Sequence, residues 1–338
     1  MKNYIGMDLH SKSCTLVVMT KDGEITKESQ IPTSELNLTN FLAEVDGPKA
    51  LMFEETGLAQ WAWDVTKDKV NRLVVCNPTY LPKKSGPKND YRDALHLCTQ
   101  LRAGNFTEVH HEKSLLMDLR TVMRHYSNLV IRLVILKNSF KAVLRNEGVS
   151  TQSKWVTSRN KEKCLEIKNP LKRKVAEALF EEMNSLEMMK QKLESEFKQN
   201  YFSVPIVKNL MTIPGIGPVR AHVIAAFICS PHRFENKHKL WAYAKLVNHA
   251  DESDGKLISN RSPHGRSELK EAFVGAAVRV IAYSGESALK NYYNDLIDNK
   301  KLDARKARNA LARKIAAICL GIMKSGDNFN ESMISLKK

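Results

Sequence analysis

An α/β domain followed by an all-α remainder is the fold class expected from this sequence. Apolar residues fall in short β-rich runs up to about residue 107 and recur at helical spacing from there on. Charge divides at the same place. Residues 1–107 carry 13 Lys+Arg against 13 Asp+Glu, whereas residues 108–338 carry 40 against 24, so the whole formal net charge of +16 lies in the second part. A chain of 338 residues that is 43% hydrophobic can bury two or three cores. The basic excess points to a polyanionic partner, either nucleic acid or an anionic membrane surface.

Three segments are expected: a mixed domain over 1–107, a helical arm over 108–200 and a helical domain over 201–338. In the first, residues 4–10 and 14–19 are β-rich runs, and Lys21-Asp22-Gly23-Glu24 signals a hairpin turn before a third strand at Ile25. Ser34 reads as the N-cap of a helix reaching Val45, with Glu35 in its first turn. Residues 49–54 form an apolar strand ending in acid, Trp61 and Trp63 lie on a helix after Gly57, and residues 73–76 form a further buried strand closed by Asn77-Pro78. A helix carrying Asp90 and Asp93 follows. The order β-β-β-α-β-α-β-α is that of an RNase H-like nuclease core, where each crossover adds a parallel strand to one sheet.

Acids stand where such a core uses them. Asp8 interrupts the apolar first strand, a costly position unless a metal or a donor satisfies it. Glu54 ends the fourth strand; Glu55 competes for that role, because strand alternation turns only one of the two inward. Asp90 and Asp93, three residues apart on one helix, point the same way and form half of a carboxylate site suited to a hard divalent cation. The simpler reading of that pair is a solvated face partnered by Arg92.

Beyond residue 107, apolar residues from Leu115 to Leu144 follow helical spacing over 112–145. A second long helix over 171–197 carries a narrow seam of Val175, Leu179, Met183, Leu186, Met189, Leu193 and Phe197. The pair is expected to form an antiparallel coiled-coil arm, serving either as a spacer or as an oligomerisation or nucleic-acid-binding element. Ile213-Pro214-Gly215-Ile216-Gly217 then separates helical segments 204–211 and 219–228 and resembles a helix-hairpin-helix, whose glycines let backbone N–H groups meet a DNA phosphate. A tight interhelical turn reads equally well. A polar, hydroxyl-rich loop spans 248–265, and a serine within it is a candidate nucleophile with Lys256, Arg261, His264 and Arg266 steadying a phosphate. Two further helices are expected over 267–283 and 303–324, the second carrying Arg305 and Arg308, before a frayed end.

Cys14, Cys76, Cys98, Cys164, Cys229 and Cys319 include no close pair, which excludes a zinc knuckle or a disulfide framework and fits a reducing cytoplasm. Asp8 and Lys12 break any leader-like apolar run and no segment is apolar enough for a membrane span, so a cytoplasmic protein without a membrane partner is expected.

Taken jointly, Ile5-Gly6-Met7-Asp8-Leu9-His10, Phe53-Glu54-Glu55-Thr56-Gly57 and Lys88-Asn89-Asp90-Tyr91-Arg92-Asp93-Ala94 resemble the acidic motifs of the DEDD transposases, which include the Piv-type DNA invertases. The later motifs, with Ile213-Pro214-Gly215-Ile216-Gly217, Arg233-Phe234, Lys239-Leu240, Ser253-Asp254-Gly255 and Gly265-Arg266-Ser267-Glu268-Leu269-Lys270, are similar to that family's C-terminal transposase domain. The resemblance implies a RuvC-like domain in which Asp8, Glu54, Asp90 and Asp93 hold Mg²⁺ (or Mn²⁺), and Ser253 forming a transient phosphoserine with DNA. It further implies double-stranded donor and target DNA, half-sites shared between subunits of a homo-oligomer (dimer or tetramer), a noncoding guide RNA, and nucleoid association in a prokaryotic cytoplasm. Gly215, Gly217, Arg220, Lys256, Arg261, His264, Arg266, Lys270, Arg305 and Arg308 are the expected nucleic-acid contacts. The family pattern commonly has Ser-Gly where Asp254 intervenes here, so Ser259 and Ser262 stay open as alternative nucleophiles. A RuvC-like nuclease without a serine step, a Piv-like invertase, a non-enzymatic nucleic-acid-binding protein and, from the Gly-Met-Asp-Leu-His opening, an actin-like sugar kinase are the competing readings.

Overall fold

The computed structural model describes residues 3–82, 89–150, 162–199, 204–253, 256–261, 265–283 and 285–334, with backbone alone for 249–253, 256–261 and 333. The chain divides into two compact units, Met1–Lys113 and Ser114–Lys338.

Unit 1 is built on a five-stranded sheet. β1 (Asn3–Leu9), β2 (Ser13–Thr20) and β3 (Ile25–Pro32) pair antiparallel through short turns, while β4 (Lys49–Glu54) and β5 (Arg72–Cys76) join parallel to β1. The strand order is β3-β2-β1-β4-β5. The two parallel joins need crossovers, which are α1 (Glu35–Ala43), capped by Ser34 as expected, and α2 (Ala59–Thr66). Period-two alternation sorts the side chains. Ile5, Met7, Leu9, Leu51 and Phe53 pack with Leu38, Phe41 and Leu42 of α1 and Ala59 and Ala62 of α2. The opposite face, with Ala50, Met52, Val74 and Cys76, packs with Leu97 and Leu101 of α3 (Asp90–Ala103).

Gly6 sets how close α3 can come to β1. A Cβ there would stand 2.0 Å from the Ala94 carbonyl oxygen and 2.4 Å from the Cys98 nitrogen, so only glycine permits this approach. The Cys98 thiol donates to the Tyr4 carbonyl at 3.1 Å across the same contact. Asn89 caps α3 by accepting from the Arg92 amide, and Gly104 ends it at φ 71°. Residues 105–113 then return beside β5, with the Val109 amide donating to Val75 O at 2.7 Å.

Unit 2 begins with α4 (Leu115–Asn146) and α5 (Pro170–Gln199). Their partners run in opposite senses: Glu147 pairs with Lys172 at 2.6 Å, Lys137 with Glu187 at 3.0 Å, and the Tyr126 hydroxyl donates to Glu194 at 2.6 Å. The two helices are therefore antiparallel. The seam differs from the expected one. Ala176, Phe180, Met183 and Leu186 of α5 are buried against Leu133, Phe140 and Leu144, whereas Val175 and Met189 are exposed. The large Phe180 ring takes the interior position beside Phe140 and the small Ala176 allows close approach, which rotates the buried stripe by one residue at that end.

α6 (Pro205–Met211), α7 (Pro218–Ile228), α8 (Lys237–Tyr243), α9 (Ser267–Tyr283), α10 (Ala288–Asp298) and α11 (Ala304–Ser325) form the rest of this unit. Residues 221–228 of α7 are buried on every side, so α7 is its central helix, enclosed by α4, α9 and others.

Three expectations are corrected. The polar stretch 248–265 contains two antiparallel strands, β6 (His249–Ser253) and β7 (Lys256–Arg261), pairing Ser253 with Lys256. A third late helix, α10, is present, capped by Ser287 and anchored by buried Leu289 and Leu296. The end does not fray up to residue 334: the Asn209 amide donates to the Gly326 and Asp327 carbonyls, Phe329 N donates to Thr212 Oγ1 at 2.8 Å, and Ile334 is buried.

Candidate active site

Asp8 is the penultimate residue of β1, and the register that sets Met7 opposite Phe53 carries on to set Asp8 beside Glu54 on one sheet face. That is the face on which α3 lies, held down at Gly6. Its first turn, with Asp90 and Asp93, overhangs the strand ends. One ligand atom each of Asp8, His10 and Asp90 lies within 4.8 Å of the others. His10 Nε2 is 3.1 Å from Asp8 Oδ2 and 4.0 Å from Asp90 Oδ1. Asp93 is the most enclosed of the acids at 8% exposure.

Burial raises the Asp8 carboxyl above its ordinary value; the His10 imidazole opposes that rise, and the charges of Asp93 and Asp90 add to it. The charges of Asp90 and Asp93 thus act against that of Asp8, and Glu54 stands on the same face of the sheet. Carboxylate oxygens with one imidazole form a donor set that fits a hard divalent cation. His10 was not singled out from the sequence, although its i, i+2 spacing from Asp8 marks it as sharing that face.

Alternation also separates Glu54 from Glu55. Glu55 belongs to the opposite face and accepts from His111 Nε2 at 2.6 Å, and the other ring nitrogen of His111 is 2.7 Å from Gln60 Oε1. Glu55 therefore fastens the 105–113 segment to the end of β4. Beside the acids, Thr15, Glu28, Gln30, Asn89, Asp90 and Tyr91 line an open groove along β2 and β3.

Residues 5–147 match a transposase family model of the DEDD type named for IS110, and residues 207–294 match the model described as Transposase IS116/IS110/IS902 family. The chain belongs to the DEDD transposase family of the IS110 type. Transposases cut and rejoin DNA, so this chain is a DNA-binding transposase/recombinase of an insertion element, and the sugar-kinase and non-enzymatic readings fall away. A search of curated proteins finds no match. Among the described residues, no helix is long and apolar enough to cross a membrane.

The expected nucleic-acid residues of this transposase are dispersed over unit 2. Gly215 adopts φ 87° and packs so tightly on α9 that a Cβ would stand 2.5 Å from Ala276 O. Gly217 is the N-cap of α7 and leaves its first amides without a side-chain cap. Arg220 turns inward, donating to the Gly215 carbonyl at 3.3 Å and lying against Gly275. Its first duty is to brace the turn. Lys270 and Arg305 are exposed and Arg308 is half-buried. Ser253 ends β6, but its side chain and those of Lys256, Ser259 and Arg261 lie outside the described residues, as do Ser262 and His264 altogether. Arg266 binds Tyr243 twice, through its amide to the carbonyl at 2.7 Å and through Nε to the hydroxyl at 3.4 Å.

Proposed function

We propose that the chain exchanges DNA strands for a mobile insertion element by a serine-phosphate route assisted by a divalent-metal site in a RuvC-like first unit. The observation that carries this reading is the gathering of Asp8, Asp90 and His10, with Asp93 and Glu54 on the same side of the sheet, in a chain of this family. Strand order β3-β2-β1-β4-β5, with β1, β4 and β5 parallel, supports the RNase H/RuvC-like assignment.

Asp8, Glu54, Asp90 and Asp93 would hold Mg²⁺ or Mn²⁺, with His10 as a further donor. Such a cation supplies charge neutralisation to the oxygens of the reacting phosphate. The Ser253 hydroxyl attacks the phosphorus of a DNA phosphodiester, its proton passing to solvent. One deoxyribose oxygen leaves with its electron pair and is protonated. A diester has been exchanged for a diester, so the reverse attack by a new DNA hydroxyl rejoins strands without an external energy source. The basic excess of residues 108–338 supports binding of DNA and of a structured noncoding RNA that selects donor and target. Gly215, Gly217, Lys270, Arg305 and Arg308 are the proposed contacts on described elements, and the antiparallel α4–α5 arm serves, as a coiled coil, to assemble a dimer or tetramer.

The reading is tested with purified chain, its copurifying RNA, and donor and target DNA. Strand exchange is expected with Mg²⁺ or Mn²⁺ and none in a chelator. Exchange that persists in the chelator overturns the metal half of the proposal.

A further inference from the structure

Unit 2 holds a cluster of like charges unrelated to the acids. Arg120 of α4 is 8% exposed, donates through Nε to Ala226 O at 3.1 Å, and has a buried Nη2 with no hydrogen-bond partner. Arg233 donates to the carbonyls of Ile228 and Phe227 at 3.0 and 3.1 Å, while its guanidinium lies 4.4 Å from the Phe234 ring centre and 4.5 Å from that of Tyr243. Arg266 donates through Nε to the Tyr243 hydroxyl at 3.4 Å. The C-terminal carbonyls of α7 account for one edge of Arg120 and of Arg233. They offer roughly half a unit of negative charge to these two guanidiniums. Among the described residues no carboxylate pairs with Arg120 or Arg233. Burial lowers the Arg120 pKa, and the three arginines together outweigh burial to lower that of the Tyr243 hydroxyl.

A compact group of guanidiniums with an unpaired buried donor suits a tetrahedral oxyanion, which accepts several charge-assisted hydrogen bonds at once. Its position narrows the choice of anion. Tyr243 and Arg266 stand at the two ends of the segment that carries β6, β7 and Ser253, and the segment is closed there by the Arg266 amide and by Gly265, where a Cβ would lie 2.2 Å from Tyr243 O. We infer that Arg120, Arg233, Arg266 and Tyr243 form a receptor for one phosphate group, filled in the working protein by a backbone phosphate of bound nucleic acid. The choice of nucleic acid rests on the function proposed above; the phosphate chemistry does not.

The test uses full-length chain and two probes. Thermal unfolding is followed in sodium phosphate against sodium chloride of equal ionic strength, and a duplex oligonucleotide is titrated separately. Wild type is expected to gain stability in phosphate beyond the chloride control. Arg120→Met should weaken the apparent phosphate affinity about tenfold, and so should Arg266→Gln on the half-exposed rim, a variant that folds even if the buried substitution does not. The oligonucleotide should lose a similar factor on Arg266→Gln. No phosphate-specific gain in wild type, or an equal gain in folded Arg266→Gln, overturns the receptor. A phosphate gain with unchanged oligonucleotide affinity overturns the nucleic-acid occupant. Phosphate binding with no serine adduct on DNA leaves the receptor standing and removes the serine route instead.

Discussion

The two units gather opposite charges by different means. In unit 1, whose net charge is close to zero, strand register and a single glycine contact bring carboxylates onto one sheet face. In the basic unit 2, guanidiniums are held by helix-end carbonyls and aromatic faces around Tyr243. Each cluster sets like charges side by side: carboxylates in unit 1, guanidiniums in unit 2. Net charge therefore does not locate the acidic cluster. The neutral unit carries the acids.

Substitutions can separate gripping from chemistry. The largest effect is expected for Asp90→Asn, which should slow strand exchange about a thousandfold while leaving DNA affinity unchanged. Lys270→Gln, on an exposed face of α9, should do the reverse, weakening DNA binding and its salt dependence with little change in rate at saturating DNA. Rates and affinities that fall together in both variants would erase the distinction between the units. Next comes the arm. Phe140 is fully buried between α4 and α5, and Phe140→Ala should cost about 3 kcal/mol in denaturant unfolding, whereas exposed Met188→Ala should cost less than about 0.5 kcal/mol.

Gly6→Ala sharpens the account of unit 1. Its new methyl meets backbone on α3, so a loss of about 2 kcal/mol is expected, together with weaker Mn²⁺ binding measured by calorimetry, because the first turn of α3 is displaced from Asp8. Stability lost with metal affinity intact would show that the acids do not depend on this contact.

The smallest effect concerns pH. Asp8 titrates above its ordinary 3.8 in the folded chain, so between the two values the native state binds more protons than the unfolded one. Its contribution to stability is then fullest below about 3.8 and is lost as pH rises through the folded value. At neutral pH in a chelator, Asp8→Asn should unfold at a slightly higher temperature than wild type, with the difference shrinking on acidification. Added Mg²⁺ should stabilise wild type alone. A variant less stable than wild type in the chelator contradicts this sign.

Much of unit 1 was legible in the sequence because its signals are local. Ser34 announces its helix, alternation marks the strands, and Asp8 stands out as an acid in an apolar run. Glu54 and Glu55 could not be separated without the register, since the partner that occupies Glu55 is His111, 56 residues away. In unit 2 the β6–β7 strands went unread because His249-Ala250-Asp251-Glu252-Ser253 offers almost no apolar alternation, leaving Asp254-Gly255 as the one turn signal. Arg120 was invisible for another reason. An arginine on an amphipathic helix reads as solvated until the end of α7 is seen to cover it.

The most direct measurement of the proposed chemistry is a denaturing trap of the chain incubated with cognate DNA, Mg²⁺ and its RNA, followed by peptide mapping. A covalent DNA adduct is expected on the peptide containing Ser253, absent in Ser253→Ala and present when Ser259 or Ser262 is replaced. Strand cleavage without any adduct, or an adduct that survives Ser253→Ala, would contradict the serine route and leave the acids of unit 1 as the site of a metal-dependent nuclease.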